Sequence, residues 1–115
     1  MSALSPSPRW GKRIRIFLGE ADTLRGLPLY RVILERVQQH GASGATVFRG
    51  IEGFGPSHHL STERLPDISD NLPLMIEIVE SQECVEKLLP VLDQLVQRGT
   101  ITVMPVEIVF SGREP

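Results

Sequence analysis

A chain of 115 residues fits one domain, and its 12 basic and 14 acidic residues give a formal net charge of -2. That balance supplies no general cationic field to hold nucleic acid or an anionic membrane. Aromatic residues make up only 5% of the chain, so aliphatic side chains must fill the core.

The elements follow in chain order. Lys12 to Leu18 alternates, with Ile14, Ile16 and Leu18 on one face and Arg13, Arg15 and Phe17 on the other, which predicts a strand. Gly19 to Gly26 is polar and turn-rich, and Pro28 suits the first turn of a helix. Leu29, Val32, Ile33 and Val37 follow at helical spacing, and Gly41 is placed to end that helix. Ala45 to Ile51 reads as the second strand, and Glu52 to about Asn71 as a loop. Leu74 to Val79 is a third, nearly all-apolar strand. Ser81 caps a second helix whose apolar stripe is Val85, Leu88, Leu89, Leu92, Leu95 and Val96. Pro90 inside it predicts a kink or a local split, and Gly99 ends it. Ile101 to Phe110 is the fourth strand, and Pro105 within it argues for a sheet edge.

The order β-α-β-β-α-β, with right-handed crossovers, predicts an α+β ferredoxin-like plait: a four-stranded antiparallel sheet with both helices on one face. Two separate βα units are the other reading, but the chain is too short to give each a core. Residues 1–12 read as a disordered leader, 13–111 as the folded domain and 112–115 as a tail. Met1 to Trp10 has no apolar run and is not a secretory signal, and no stretch approaches the ~20 apolar residues of a membrane span. The cytoplasm is the expected location. One cysteine, Cys84, leaves no internal disulfide to form, and its neighbours Val85 and Leu88 make it a small core hydrophobe rather than a reactive thiol.

Two helices cover one sheet face, yet Phe17, Met75, Val79 and Val109 alternate onto the other. An uncovered apolar face of that size predicts self-association. Partial shielding by the leader or the loop is the alternative.

The stretch from Glu52 to Asn71 has no apolar period, and connections longer than ~12–15 residues are uncommon unless functional or disordered. Gly53 and Gly55 free the backbone and expose N–H groups to an anion. His58 and His59 share this loop. Adjacent histidines on a loop rarely close a metal site alone, but three copies meeting at a trimer axis could; solvated loop histidines are the bland reading. Glu20 and Asp22 flank the turn after the first strand, either to hold a cation or a ribose or simply as acidic residues of a helix-start turn. Arg49 and Arg64 are available to a phosphate. No P-loop, nucleophile elbow or metal-spaced Cys/His set is present, so no enzyme is expected.

Several segments together resemble a known family. Gly41-Ala42-Ser43-Gly44-Ala45-Thr46-Val47, Gly53-Phe54-Gly55, and Leu72-Pro73 ahead of Ile76-Glu77-Ile78-Val79 are similar to the trimeric PII signal-transduction proteins. A closer match is the PII-like bacterial family called domain of unknown function 190. Arg15-Ile16-Phe17-Leu18-Gly19-Glu20, Gly26-Leu27-Pro28-Leu29-Tyr30 and Arg49-Gly50-Ile51-Glu52-Gly53-Phe54-Gly55 carry that match, which spans about Ile14 to Phe110. The resemblance implies a homotrimer with ligand clefts between subunits and a mobile loop after the second strand. It implies an adenine nucleotide or another small anionic ligand, with Gly44, Thr46, Gly53, Phe54, Gly55, Arg49 and Glu20 as candidate ligand-binding residues. Family members are often encoded near small fluoride exporters, so it also implies a membrane transporter, or another protein, docking on loop 52–71.

The departures are specific. PII proteins grip ATP with a loop bearing glycine and lysine after the second helix, where Arg98-Gly99-Thr100 here passes straight into the last strand. Leu74 stands where they have a lysine, and Glu107, Ile108 and Phe110 stand where they have arginines. Their modified loop tyrosine has no counterpart, and Tyr30 falls on the first helix. The spacing from Gly44 to Gly53 is one residue longer. Arg113, past the last strand, is the candidate replacement for a lost phosphate contact. The fold and the trimer carry over as expectations, while ATP gripping and uridylylation do not. A metal-binding trimer of the divalent-cation tolerance type, using His58 and His59, is the alternative. An RNA-binding plait would need stacking aromatics on the sheet, and Phe17 is nearly alone there.

Overall fold

The computed structural model describes residues 9–64 and 71–109. In chain order its elements are β1 (Arg9–Gly19), β2 (Thr23–Leu24), β3 (Leu27–Pro28), α1 (Leu29–Gln39), β4 (Thr46–Arg49) and β5 (Glu52–Gly53). Then come β6 (Ser61–Thr62), β7 (Pro73–Ser81), α2 (Gln82–Leu95) and β8 (Thr100–Ile108). One antiparallel sheet has the order β4-β7-β1-β8, and β2/β3 and β5/β6 form two small hairpins beside it. This is the expected plait, with β8 and its Pro105 at an edge.

Register explains the core. Ile14 lies opposite Ile78, Ile16 opposite Ile76 and Leu18 opposite Leu74, all six buried on the helix side of the sheet. Leu29, Ile33 and Val37 of α1 and Val85, Leu88, Leu92 and Leu95 of α2 close over them. Burying each such side chain stabilises the fold by about 2 kcal/mol.

Local chemistry sets the helix ends. After α1, Gly41 takes φ +94, its N–H reaches the Gln38 carbonyl at 3.2 Å, and the Ala42 N–H reaches the Val37 carbonyl at 3.0 Å. That pair of bonds is the Schellman closure, which needs a left-handed residue where glycine stands. Arg25 and Gly26, at φ +51 and +81, make the two-residue turn between β2 and β3. At α2 the Ser81 hydroxyl accepts the Cys84 N–H at 3.2 Å. Replacing Ser81 with alanine should lower stability by about 1 kcal/mol, read from the urea midpoint.

Pro90 does not split α2, which runs unbroken from Gln82 to Leu95. The carbonyl it leaves without a donor belongs to Glu86, an exposed residue, so water can satisfy it. Pro28 sits one place before the helix, at the N-cap, and also closes the β2/β3 hairpin. β1 starts at Arg9, so Arg9 to Lys12, placed in the leader by the sequence, pair with β8. The loop after β4 is also more structured than its sequence suggested, because β5 and β6 pair across it. Phe110 lies outside the described residues.

The open face is apolar but not as expected in detail. Phe17, Phe48, Val79 and Met104 are 41%, 47%, 45% and 49% exposed there. Val109 lies beyond β8 and out of that alternation; Met104, Val106 and Ile108 occupy the face instead. Arg15 and Glu77, paired across β1 and β7, form an ion pair of 2.9 Å on the same face.

Candidate functional site

At the end of the sheet where β1 stops and β7 and β8 begin, three segments remote in sequence meet. They are Gly53–Ser61, Asn71–Leu74 and Arg98–Thr100, joined by Phe17, Leu18, Gly19 and Asp22, and they wall a recess of about 380 Å³. A recess of this size matches the lower range of small-molecule sites.

Each wall has a local cause. In the loop wall, Glu52 pairs with Thr62 and Gly53 with Ser61, and the Glu63 N–H donates to the Ile51 carbonyl at 2.9 Å. Pro56 and Ser57 form the turn inside, where the His58 N–H donates to the Gly55 carbonyl at 2.8 Å and the Ser57 hydroxyl accepts the His59 N–H at 3.3 Å. His58 takes φ +62, and its ring stacks on Phe54 with centroids 6.0 Å apart. Ser61 and Thr62 are buried, which anchors the loop's base.

The second wall is the corner after β1. The Gly19 N–H donates to Asp22 Oδ2 at 2.9 Å, and the Glu20 N–H to the Leu72 carbonyl at 2.8 Å. Asn71 Oδ1 accepts the Ala21 N–H at 2.9 Å. Gly50 and Gly53 both lie against Pro73, and the Gly50 N–H donates to the Pro73 carbonyl at 2.7 Å. The third wall turns at Gly99, with φ +124, hard against the Phe17 carbonyl.

The lining has mixed chemistry. Arg98 brings the formal positive charge and Asp22 the negative one, with His59, Ser57, Ser61 and Asn71 as hydrogen-bonding groups. Phe17, Leu18, Phe54, Pro56, Pro73 and Leu74 supply apolar surface. An apolar slot with a few polar groups suits a small ligand.

Of the residues singled out from sequence, Asp22, Gly53, Phe54, Gly55 and His59 line this recess. Glu20 and Arg49 lie outside its wall and face each other, Arg49 Nη1 donating to Glu20 Oε2 at 3.2 Å. Both are substantially exposed, so their pair contributes at most about 1 kcal/mol. Gly44 and Thr46 stand toward the other end of β4, where Thr46 lies opposite Glu77 and Ser43 donates to Glu80. Arg64 reaches Glu52 loosely, at 4.0 Å across the β5/β6 hairpin. Arg113 lies outside the described residues. Asp22 reads from sequence as an acid flanking a turn, and its bond to the Gly19 N–H shows that turn directly. Pro73 belongs to the Leu72-Pro73 pair that carries the resemblance, while Asn71 and Ser61 escape a sequence reading, because nothing in their local sequence marks a site.

Among the described residues no three His, Cys, Asp or Glu side chains stand close enough to hold a metal ion. Cys84 is half-buried, and desolvation, reinforced by the Glu80 charge and a hydrogen bond to Glu80, pushes its thiol up despite the opposing Lys87. That is the opposite of an activated cysteine. No described helix is long and apolar enough to cross a membrane.

The fold is the plait seen in solved PII-like proteins. The chain belongs to the DUF190 family ("Uncharacterized ACR, COG1993"), whose model matches residues 11–108. It is 33% identical over 99 residues to a UPF0166 protein of Aquifex aeolicus, covering 86% of this chain and 93% of that one. In fold it is similar to CPII of Thiomonas intermedia K12, whose structure is bound to ADP and bicarbonate. That match has TM-score 0.67 and 20% identity and covers 91% of this chain and 94% of that one. It is also similar to a putative PII-like signaling protein of Thermus thermophilus, with TM-score 0.65, 20% identity and coverage of 90% and 93%.

Proposed function

We propose that this chain is a cytoplasmic PII-like regulator, not an enzyme. It works as a homotrimer that binds a small anionic ligand, with an adenine nucleotide the first candidate, in the recess between Gly53–Gly55, Asn71–Pro73 and Arg98–Thr100. The observation that carries this reading is that the loop itself forms one wall of the recess. A ligand seated there touches the loop and the rigid sheet end at once, so occupancy favours one loop arrangement over others. The loop would then report occupancy to a partner, a membrane transporter or another protein, through the exposed Ile51, Phe54 and Leu60.

In this reading Phe54 offers a stacking face, the backbone N–H groups near Gly53 and Gly55 meet the anion, and Arg98 neutralises it. The open sheet face closes the trimer. Glu20 and Arg49 brace the corner rather than hold the ligand. Gly44 and Thr46 would join the site only through a neighbouring subunit. ADP in the CPII structure supports the choice of ligand class. The absence here of the lysine and arginines that PII proteins use argues for weaker phosphate grip and a larger share from stacking.

The test is a thermal-shift series with AMP, ADP, ATP and bicarbonate, beside light scattering for mass. A ligand at 100 times its Kd should stabilise the fold by about 2.7 kcal/mol, a rise of about 10 °C. Unchanged melting with every adenine nucleotide at millimolar concentration overturns the nucleotide assignment. A monomeric mass overturns the trimer.

A further inference from the structure

We propose that Arg13, in the middle of the open sheet face, is completed by Glu77 of a second copy of this chain. The two copies then share a triad in which one Glu77 carboxylate holds its own Arg15 and the neighbour's Arg13. This rests on the self-association in the proposed function and adds what fixes its register.

The argument starts from an unmet need. Arg13 lies opposite Val79 on β7 and Met104 on β8, with Phe17, Val106 and Ile108 on the same face. Its Nε is buried and has no hydrogen-bond partner among the described residues. Its Nη2 reaches Met104 Sδ at 2.9 Å, and a thioether is a weak acceptor. A guanidinium carries five donors and keeps its charge in proteins. Among the described residues no acid pairs with this half-buried cation, since the diagonal neighbour Glu77 is engaged by Arg15, and an acceptor from outside would complete it.

The acceptor is present on the same face. Glu77 Oε2 takes the Arg15 Nε–H at 2.9 Å, while Oε1 accepts no hydrogen bond among the described residues. A carboxylate has about four acceptor positions, so a second arginine fits on the free oxygen. Within one chain the two groups are turned apart: Arg13 leans toward Met104 on β8, while Glu77 is on β7, on the other side of β1. An apolar face that carries both an orphan donor and a spare acceptor complements its own copy. In the proposed triad the shared carboxylate sets which residues of the two copies face each other, and removing one member leaves a buried charge unpaired.

The test is a double-mutant cycle on the dissociation of the oligomer, read by sedimentation at a series of dilutions. Arg13→Met and Glu77→Gln should each weaken assembly at least ~10-fold, and the double variant should be no weaker than the worse single. Independent, multiplying effects, or no effect of Arg13→Met, overturn the pairing. Should either variant fold poorly by circular dichroism, cross-linking decides. Arg13→Cys and Glu77→Cys chains, both carrying Cys84→Ser, are mixed and treated with a short bismaleimide, because an arginine–glutamate pair sets its Cα atoms beyond the ~7 Å that a disulfide can bridge. A cross-link between the two different chains, in excess of like-with-like products, is expected, and its absence overturns the proposal. A monomeric wild type removes the self-association beneath it. An oligomeric wild type indifferent to these changes removes only the triad.

Discussion

Gly99→Ala is expected to lower stability by about 3 kcal/mol, enough to drop the melting temperature by about 10 °C or more in a domain of this size. Two costs act together. At φ +124 the backbone is in a region that a Cβ opposes, and the added methyl would stand 2.3 Å from the Phe17 carbonyl oxygen. That neighbour is backbone, held in the β1 ladder opposite Thr100, so it cannot step aside as a side-chain tip would. The first cost is about 1–2 kcal/mol and the overpacking adds about as much. Gly41→Ala is the control: it shares the positive φ, +94, but its Cβ would meet nothing within 4 Å. It should therefore cost only about 1–2 kcal/mol. Equal losses at the two positions would mean that the contact with Phe17 relaxes freely. Because Gly99 and Phe17 both line the recess, the variant should also lose ligand affinity beyond its loss of stability.

The plait was legible because its signals are local and periodic. Ile14, Ile16 and Leu18 announce a half-buried strand, and Leu29, Ile33 and Val37 a helix face, and each segment buries the residues its period marks. Strand ends were less legible. Arg9–Gly11 carries no alternation, and its place in β1 is fixed by β8 lying alongside, a long-range pairing. The recess was half legible. Gly53-Phe54-Gly55 stood out as a motif, and it does line the wall. Asn71 and Arg98 matter only because β1, β7 and β8 bring three distant segments to one end of the sheet. Glu20 and Arg49 are a different case. Each looked like an unused charge, and only the fold shows that they face each other. Their separation of 29 positions hides the pairing from any local reading.

Gly19→Ala should loosen the loop wall while sparing the core. Its Cβ would fall 2.2 Å from Asn71 Oδ1, the atom that accepts the Ala21 N–H. Unlike the carbonyl facing Gly99, this obstacle is the tip of a short side chain, so Asn71 can swing out and leave the Ala21 N–H to water. The bond between the Glu20 N–H and the Leu72 carbonyl ties the same corner by backbone alone and should survive. The expected loss is therefore about 1–2 kcal/mol, one hydrogen bond and some packing, smaller than at Gly99. Hydrogen exchange should quicken at Ala21, Gly53 and Ser61, and stay slow at Ile14, Ile16 and Ile76, because loosening the corner need not open the sheet. Asn71→Ala removes the same bond without adding a methyl and should reproduce both effects. If exchange at Gly53 and Ser61 stays unchanged in both variants, the Asn71 corner does not restrain the loop. The restraint would then reside in the β5/β6 pairing and the buried Ser61 and Thr62. A nucleotide bound in the recess should slow exchange at those same loop positions in the wild type and do so less in Gly19→Ala. The ligand's stabilisation would then depend on a corner that no single segment of the sequence reveals.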